Sequence, residues 1–164
     1  MNQKNNYNKK ELKKSGNGTL FGSDTGKLPL HPMLMVSRIK EIFSTGGKYN
    51  KGRVKAELDI NEDNWFFLCH FKNDPVMPGC LGLDGMWQIV GFYLTWLGGK
   101  GRGRALGVGD VKFKGQIRPY HKKIIYNIDI KRIINKNNKY IVWADGTVTT
   151  DKQKTIYFAK NLQV

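Results

Sequence analysis

Acidic residues are scarce in this 164-residue chain: 13 Asp and Glu stand against 28 Lys and Arg, a formal net charge of +15. Its two cysteines cannot build a disulfide framework. That excludes the small disulfide-stapled scaffolds and makes a reducing compartment, the cytoplasm, the simplest assignment. The N-terminus, MNQKNNYNKKELKKSGNG, has no apolar stretch, so no secretory signal is expected. No paired CxxC is available for a zinc module. Cys69, His70 and Cys80 lack both a recognisable ligand spacing and a clear fourth ligand, so no metal is expected.

What remains is enough for one core. The length fits a single domain over 1–164, with residues 1–30 as a polar N-terminal segment. Aromatic residues at 12%, four of them Trp, argue against a disordered basic tail. The positive balance has two readings: an acidic partner, or Lys and Asn spread over solvated surface. The bases are scattered rather than packed into one block, which favours the surface reading. NWFFLCHF is aromatic but lacks the basic-Gly-aromatic alternation of an RNA-reading sheet, so no nucleic-acid partner is expected.

Along the chain, Asn8 and Glu11 are spaced as a capping box. Pro29 and Pro32 precede an apolar run, MLMVSRI (33–39), that suits a buried strand or a short helix. From Arg53 to Ile60 the pattern alternates as a half-buried strand does, with Val54, Ala56, Leu58 and Ile60 on one face. WFFLCHF (65–71) reads as another strand, ending in the loop KNDPVMPG. CLGLDGMWQIVGFYLTWLGG (80–99) is apolar on every face of a helical wheel, the mark of a helix buried all round or in a membrane. Crossing a membrane takes about 20 predominantly apolar residues. Asp84, Gln88 and several glycines interrupt this run, so a helix wrapped by its own domain is expected, with no stable membrane insertion. Alternation returns at 111–117 and 124–130, and strand-like runs follow at 139–149 and 155–159. The sum is an α+β architecture: a curled antiparallel sheet wrapped round one long apolar helix.

Few residues could carry chemistry. His70 sits just before a Pro/Gly loop and the apolar helix, either as a structural imidazole or as a catalytic base. In a strand its side chain would point away from Cys69, which excludes a Cys–His couple. Asp84 lies early in the apolar helix. It is either a carboxylate satisfied by the helix dipole or a buried acid protonated near neutrality. Pro78-Gly79 sets the helix start, where free N–H groups make a ready oxyanion site. Cys80 shares that positive end, which can activate a thiol, although a buried Cys is usually inert packing. GGKGRGRALGVG (98–109) satisfies neither the Walker nor the GxGxxG register and reads as a flexible basic connection.

The block HFKNDPVMPGCLGLDGMWQIVGFYLTWLGGKGRGRALGVGDVKFKGQIRP (70–119) closely resembles the bacterial β-hydroxydecanoyl acyl-carrier-protein dehydratase/isomerase family of unsaturated fatty acid synthesis. The likeness extends more thinly through LFG (20–22), AELDIN (56–61), KRIIN (131–135) and ADG (144–146). The sister family, which dehydrates without isomerising, typically carries Glu at the position of Asp84, so GCLGLDGMWQ is similar to the bifunctional branch. The resemblance implies a hot-dog fold and a homodimer whose active site takes its His from one subunit and its Asp from the other. Matched motif to motif, these are His70 and Asp84, with the Gly79 N–H donating to the thioester carbonyl beside Cys80. It implies no cofactor beyond the phosphopantetheine that arrives on the acyl carrier protein. It also implies a short C-terminal segment beyond Val164. Gly85 departs from the family's usual Ala. Acyl carrier proteins are acidic, and Lys131, Arg132, Lys136 and Lys139 cluster near one strand and turn. Arg132 and Lys136 are the residues expected to steer the carrier.

Overall fold

The computed structural model describes residues 4–136, 139–152 and 154–164, with Lys139 described by its backbone only. Six strands form one antiparallel sheet: β1 (Arg38–Phe43), β2 (Arg53–Asp59), β3 (Asp110–Phe113), β4 (Lys123–Lys136), β5 (Lys139–Thr150) and β6 (Thr155–Gln163). Their spatial order is β1-β2-β4-β5-β6-β3, which leaves β1 and β3 as the edges. Three helices accompany them: α1 (Lys9–Gly16), α2 (Trp65–Cys69) and α3 (Gly79–Trp96). The sheet curls round α3, which packs against β2, β4, β5 and β6. This is the α+β architecture expected from the sequence.

The core explains the helix pattern. Met86, Ile89, Val90 and Tyr93 of α3 are almost wholly buried, against Val54, Tyr126, Ile128, Val142 and Val148 of the sheet. Fully burying one such side chain stabilises the fold by about 1.5–3 kcal/mol. On the other side α3 is covered in part by the N-terminal segment: Tyr7, Phe21 and Phe92 meet edge to face, with centroids 5.1–5.9 Å apart. The capping box at the start of α1 is present. The Glu11 N–H donates to Asn8 Oδ1 at 3.1 Å, and the Asn8 N–H donates to Glu11 Oε2 at 2.8 Å. Among the described residues, no helix is long and apolar enough to cross a membrane.

Two expectations need correction. Residues 65–69 are the helix α2, not a strand. Aromatic side chains favour strands, but here a turn begins at Asn64, whose carbonyl accepts the Phe67 N–H at 2.9 Å. Helical spacing then lets both Phe66 and Phe67 reach the core. In 33–39 only Arg38 and Ile39 join a strand. The segment ahead of them is irregular because its main chain is bonded to a side chain of α3, described below.

A polar knot ties β1 to β2 and β4. Glu57 is 7% exposed. Its carboxylate accepts from Arg38 Nη1 at 2.8 Å and from Lys123 Nζ at 2.9 Å, while Arg38 also grips Asp59. Burial pushes the Glu57 carboxyl up, but the hydrogen bonds from Lys123 and Arg38 outweigh it and hold the group below its ordinary 4.5. A carboxyl depressed by folding contributes stability that is present above that ordinary value and lost as pH falls through the folded one. Glu57→Gln should therefore cost about 1–3 kcal/mol at neutral pH, and thermal melts across an acid series should show its deficit shrinking below about pH 4.5. A deficit that stays constant with pH would remove the ionic account.

Candidate active site

His70 lies where α2 ends, at its C-cap. The loop that follows folds back, so the Val76 N–H bonds to the His70 carbonyl at 2.8 Å, and His70 Nδ1 sits 2.8 Å from the Val76 carbonyl oxygen. A carbonyl can only accept, so Nδ1 carries a proton, and in the neutral form of the ring the lone pair is on Nε2. The ring is half-buried and stacks on Phe71 at 3.8 Å. Cys69 Sγ is engaged elsewhere, 3.6 Å from the Trp65 carbonyl. The Cys–His couple is therefore absent because the thiol turns back along α2, not because of strand alternation.

Past the loop, Pro78 stands at the N-cap of α3 without a side-chain cap, and the helix's first bond runs from the Leu81 N–H to the Pro78 carbonyl at 3.0 Å. The Gly79 and Cys80 amides precede that bond, at the positive end of an 18-residue helix. At Gly79 the backbone runs close under the Phe113 ring of β3: a Cβ would lie 2.7 Å from it, so a larger residue would displace that exposed ring. Cys80 is exposed, which corrects the expectation of a buried packing thiol.

Asp84 falls in the second turn of α3, beyond the first turn where the helix dipole acts. Its partner is Gln88, one turn on: Gln88 Nε2 donates to Asp84 Oδ2 at 2.6 Å and to the Met33 carbonyl at 2.8 Å. Gln88 Oε1 accepts the Met35 N–H at 2.9 Å. One buried amide thus fixes both the carboxylate and the segment entering β1. Gln88 is the residue that the sequence reading passed over, although Asp84 and Gln88 at i, i+4 were the available signal. Asp84 is half-buried rather than enclosed, and it lines a cavity of about 150 Å³ with Trp87 and Gln88. His70 does not line that cavity.

The departure at Gly85 has a cause. A Cβ there would lie 2.5 Å from the hydroxyl of Tyr126, which is fully buried on β4. Burial first, then Tyr157 and the nearby Asp84 charge, push the Tyr126 phenol up, so it stays neutral. Arg132 is exposed on β4, its guanidinium 5.3 Å from the Trp143 ring centroid. It shares a surface cavity of about 410 Å³ with Lys51, Lys131 and Asn161. Lys136 is exposed at the end of β4. The side chain of Lys139 lies outside the described residues.

A long helix held in a six-stranded curled antiparallel sheet defines a protein of the hot-dog fold. The chain belongs to the FabA-like domain family, whose model matches residues 28–160. Solved structures share the fold at low identity. The dehydratase heterocomplex ApeI:P from Xenorhabdus doucetiae is 16% identical, with 76% of this chain and 95% of that one covered at a TM-score of 0.50. A hypothetical thioesterase from Streptococcus pneumoniae with coenzyme A is 11% identical, with 76% and 81% covered at 0.53. A Streptococcus mutans protein bound to acetyl CoA is 12% identical, with 82% and 94% covered at 0.50. A fold shared by a dehydratase and a thioesterase does not by itself assign the reaction.

Proposed function

We propose that the chain dehydrates β-hydroxyacyl thioesters borne on an acyl carrier protein and isomerises the trans-2-enoyl product to the cis-3-enoyl thioester. The observation that carries this reading is that His70, its Nδ1 turned to the Val76 carbonyl, and Asp84, clamped by Gln88, flank the start of α3 along the chain. Those are the three groups that elimination next to a thioester needs.

His70 Nε2 takes the α-proton, the general-base role that an imidazole most often fills. The electron pair moves through the enolate, whose oxygen is met by the Gly79 amide at the start of α3, beside Cys80. One such donor is worth roughly two to three powers of ten in rate. Asp84, as the acid, protonates the departing β-hydroxyl, so one water leaves and the α,β double bond forms. The proton then passes from His70 back to Asp84 and resets the site. In the isomerisation His70 removes a γ-proton and returns one to the α-carbon, so the double bond migrates without any redox change. No metal or bound cofactor enters these steps.

Because His70 does not line the Asp84 cavity, the site is read as shared by two copies of the chain. Exposed Leu68, Phe71 and Phe113, which bracket His70 and Gly79, supply apolar surface for such a contact. Arg132 and Lys136 remain the candidate surface for the acidic carrier.

The test is product analysis with a β-hydroxydecanoyl thioester on carrier protein. Loss of water with both trans-2 and cis-3 enoyl products supports the full reading. The trans product alone reduces it to a dehydratase. Release of free acid replaces it with a thioesterase.

A further inference from the structure

One residue, Val76, sets how His70 sits. The Val76 N–H donates to the His70 carbonyl and the Val76 carbonyl accepts from His70 Nδ1, each at 2.8 Å. The segment 116–118, between β3 and β4, anchors the chain on either side of Val76. Past it, the Met77 N–H donates to the Ile117 carbonyl at 2.9 Å. Ahead of it, the Arg118 guanidinium pairs with Asp74 through Nη1, and the same nitrogen donates to the Pro75 carbonyl at 3.4 Å. The other arms of the fork are engaged as well. Arg118 Nε and Nη2 both donate to Gln116 Oε1, at 3.0 and 2.6 Å. The main chain of Arg118 is fixed in turn by the buried His121, whose N–H donates to the Arg118 carbonyl at 3.1 Å. The Arg118 side chain is 25% exposed, against 60% for Asp74.

We propose that Arg118 is a positioning residue for His70. It acts at one remove. By holding Asp74 and Pro75 it fixes the direction of the Val76 carbonyl, and that carbonyl decides which imidazole nitrogen bears the proton and where Nε2 points. The consequence for rate alone rests on the dehydratase reading above. The loop needs such an anchor. Residues 71–74 are exposed, and their main chain closes on itself through one pair of bonds between Phe71 and Asp74, both 3.1 Å. Pro75 has no N–H with which to add another. An exposed ion pair by itself contributes little. Here, however, the plane of the guanidinium is set by a carboxylate, a carbonyl and an amide together, a geometry that the point charge of a lysine does not reproduce. Arg118 thereby carries order from the turn at His121 across to the loop that follows α2.

Nitrogen NMR of the imidazoles in the full-length protein reads this without any substrate, with the His70 signals assigned by their loss in His70→Ala. At a pH where the ring is neutral, wild-type His70 should hold its proton on Nδ1. Arg118→Ala should give a mixture of the two tautomers, Arg118→Lys a smaller change, and Asp74→Ala a change like that of Arg118→Ala. The two alanine substitutions combined should be no worse than either alone, because both break one link. With a β-hydroxyacyl thioester, Arg118→Ala should lower kcat roughly five- to tenfold and leave KM within about twofold, since the base loses aim while the binding surface stays. Asn8→Ala, which removes the cap of α1, is the control for lost stability alone and should keep the wild-type tautomer and kcat. A His70 proton that stays on Nδ1 in Arg118→Ala overturns the proposal, whatever the activity. A fall in kcat that Asn8→Ala reproduces overturns it as well. A tautomer shift in a protein that dehydrates no thioester supports the positioning role and removes the dehydratase reading instead.

Discussion

Equimolar co-expression of a His70→Ala chain with an Asp84→Ala chain should restore about one quarter of wild-type turnover, although each variant alone is nearly inactive. Losing a positioned acid or base costs roughly two to four powers of ten, so each homodimer contributes little. If the site takes its base from one copy and its acid from the other, random pairing yields about half mixed dimers. Each of these holds one site with both groups intact and one with neither. Half of the dimers with half of their sites working gives the quarter. The observation behind it is that His70 is held by Val76 while Asp84 opens on a cavity that His70 does not reach. A site built within one chain gives the opposite result, because every mixed dimer then carries one defect per site and no activity returns. Sedimentation of the mixed preparation checks that the dimers form, and purification through two different tags isolates the mixed species, whose specific activity should be about half that of wild type.

Much of the architecture was legible because it follows from periodicity. The first half of β4 alternates strictly and β2 does so except at the buried, ion-paired Glu57, and their buried apolar residues Val54, Ala56, Leu58, Ile124, Tyr126 and Ile128 are those the alternation selects. α3 was legible because its apolar side chains face all round and only a wrapped helix can bury them. The candidate site was legible in its residues but not in its support. Gln88 looked like a polar interruption, and only tertiary structure brings the Met33 and Met35 backbone to its amide, 53–55 residues distant in sequence. α2 was missed for the converse reason: its aromatic run favours strand locally, and a turn at Asn64 with the burial of Phe66 and Phe67 overrides that preference.

Gly82→Ala and Gly85→Ala should each destabilise the protein, against the ordinary rule that Ala gains up to about 1 kcal/mol over Gly within a helix. The reason lies across the interface between α3 and the sheet. At Gly82 a Cβ would run into the ring of Tyr157, and at Gly85 it would lie 2.5 Å from the Tyr126 hydroxyl and 2.8 Å from the ring carbon that bears it. Tyr126 is fully buried and Tyr157 nearly so, so neither ring can swing into solvent to make room. Overpacking of this kind typically costs about 1–3 kcal/mol, which exceeds the propensity gain and fixes the sign. In a domain of this size that corresponds to a fall in melting temperature of roughly 2–4 °C per kcal/mol. Gly91→Ala is the internal control, since its Cβ would enter open space and should show the propensity gain alone. Tyr126→Phe discriminates further. The Tyr126 hydroxyl is buried without a hydrogen-bond partner among the described residues, so its removal should be neutral or stabilising. Combined with Gly85→Ala, that change should recover part of the loss by deleting the nearest atom, and only part, because the ring itself stays close. Full additivity of the two substitutions would mean that the hydroxyl does not press on the helix at residue 85, and the account of why glycine stands beside Asp84 would fall with it.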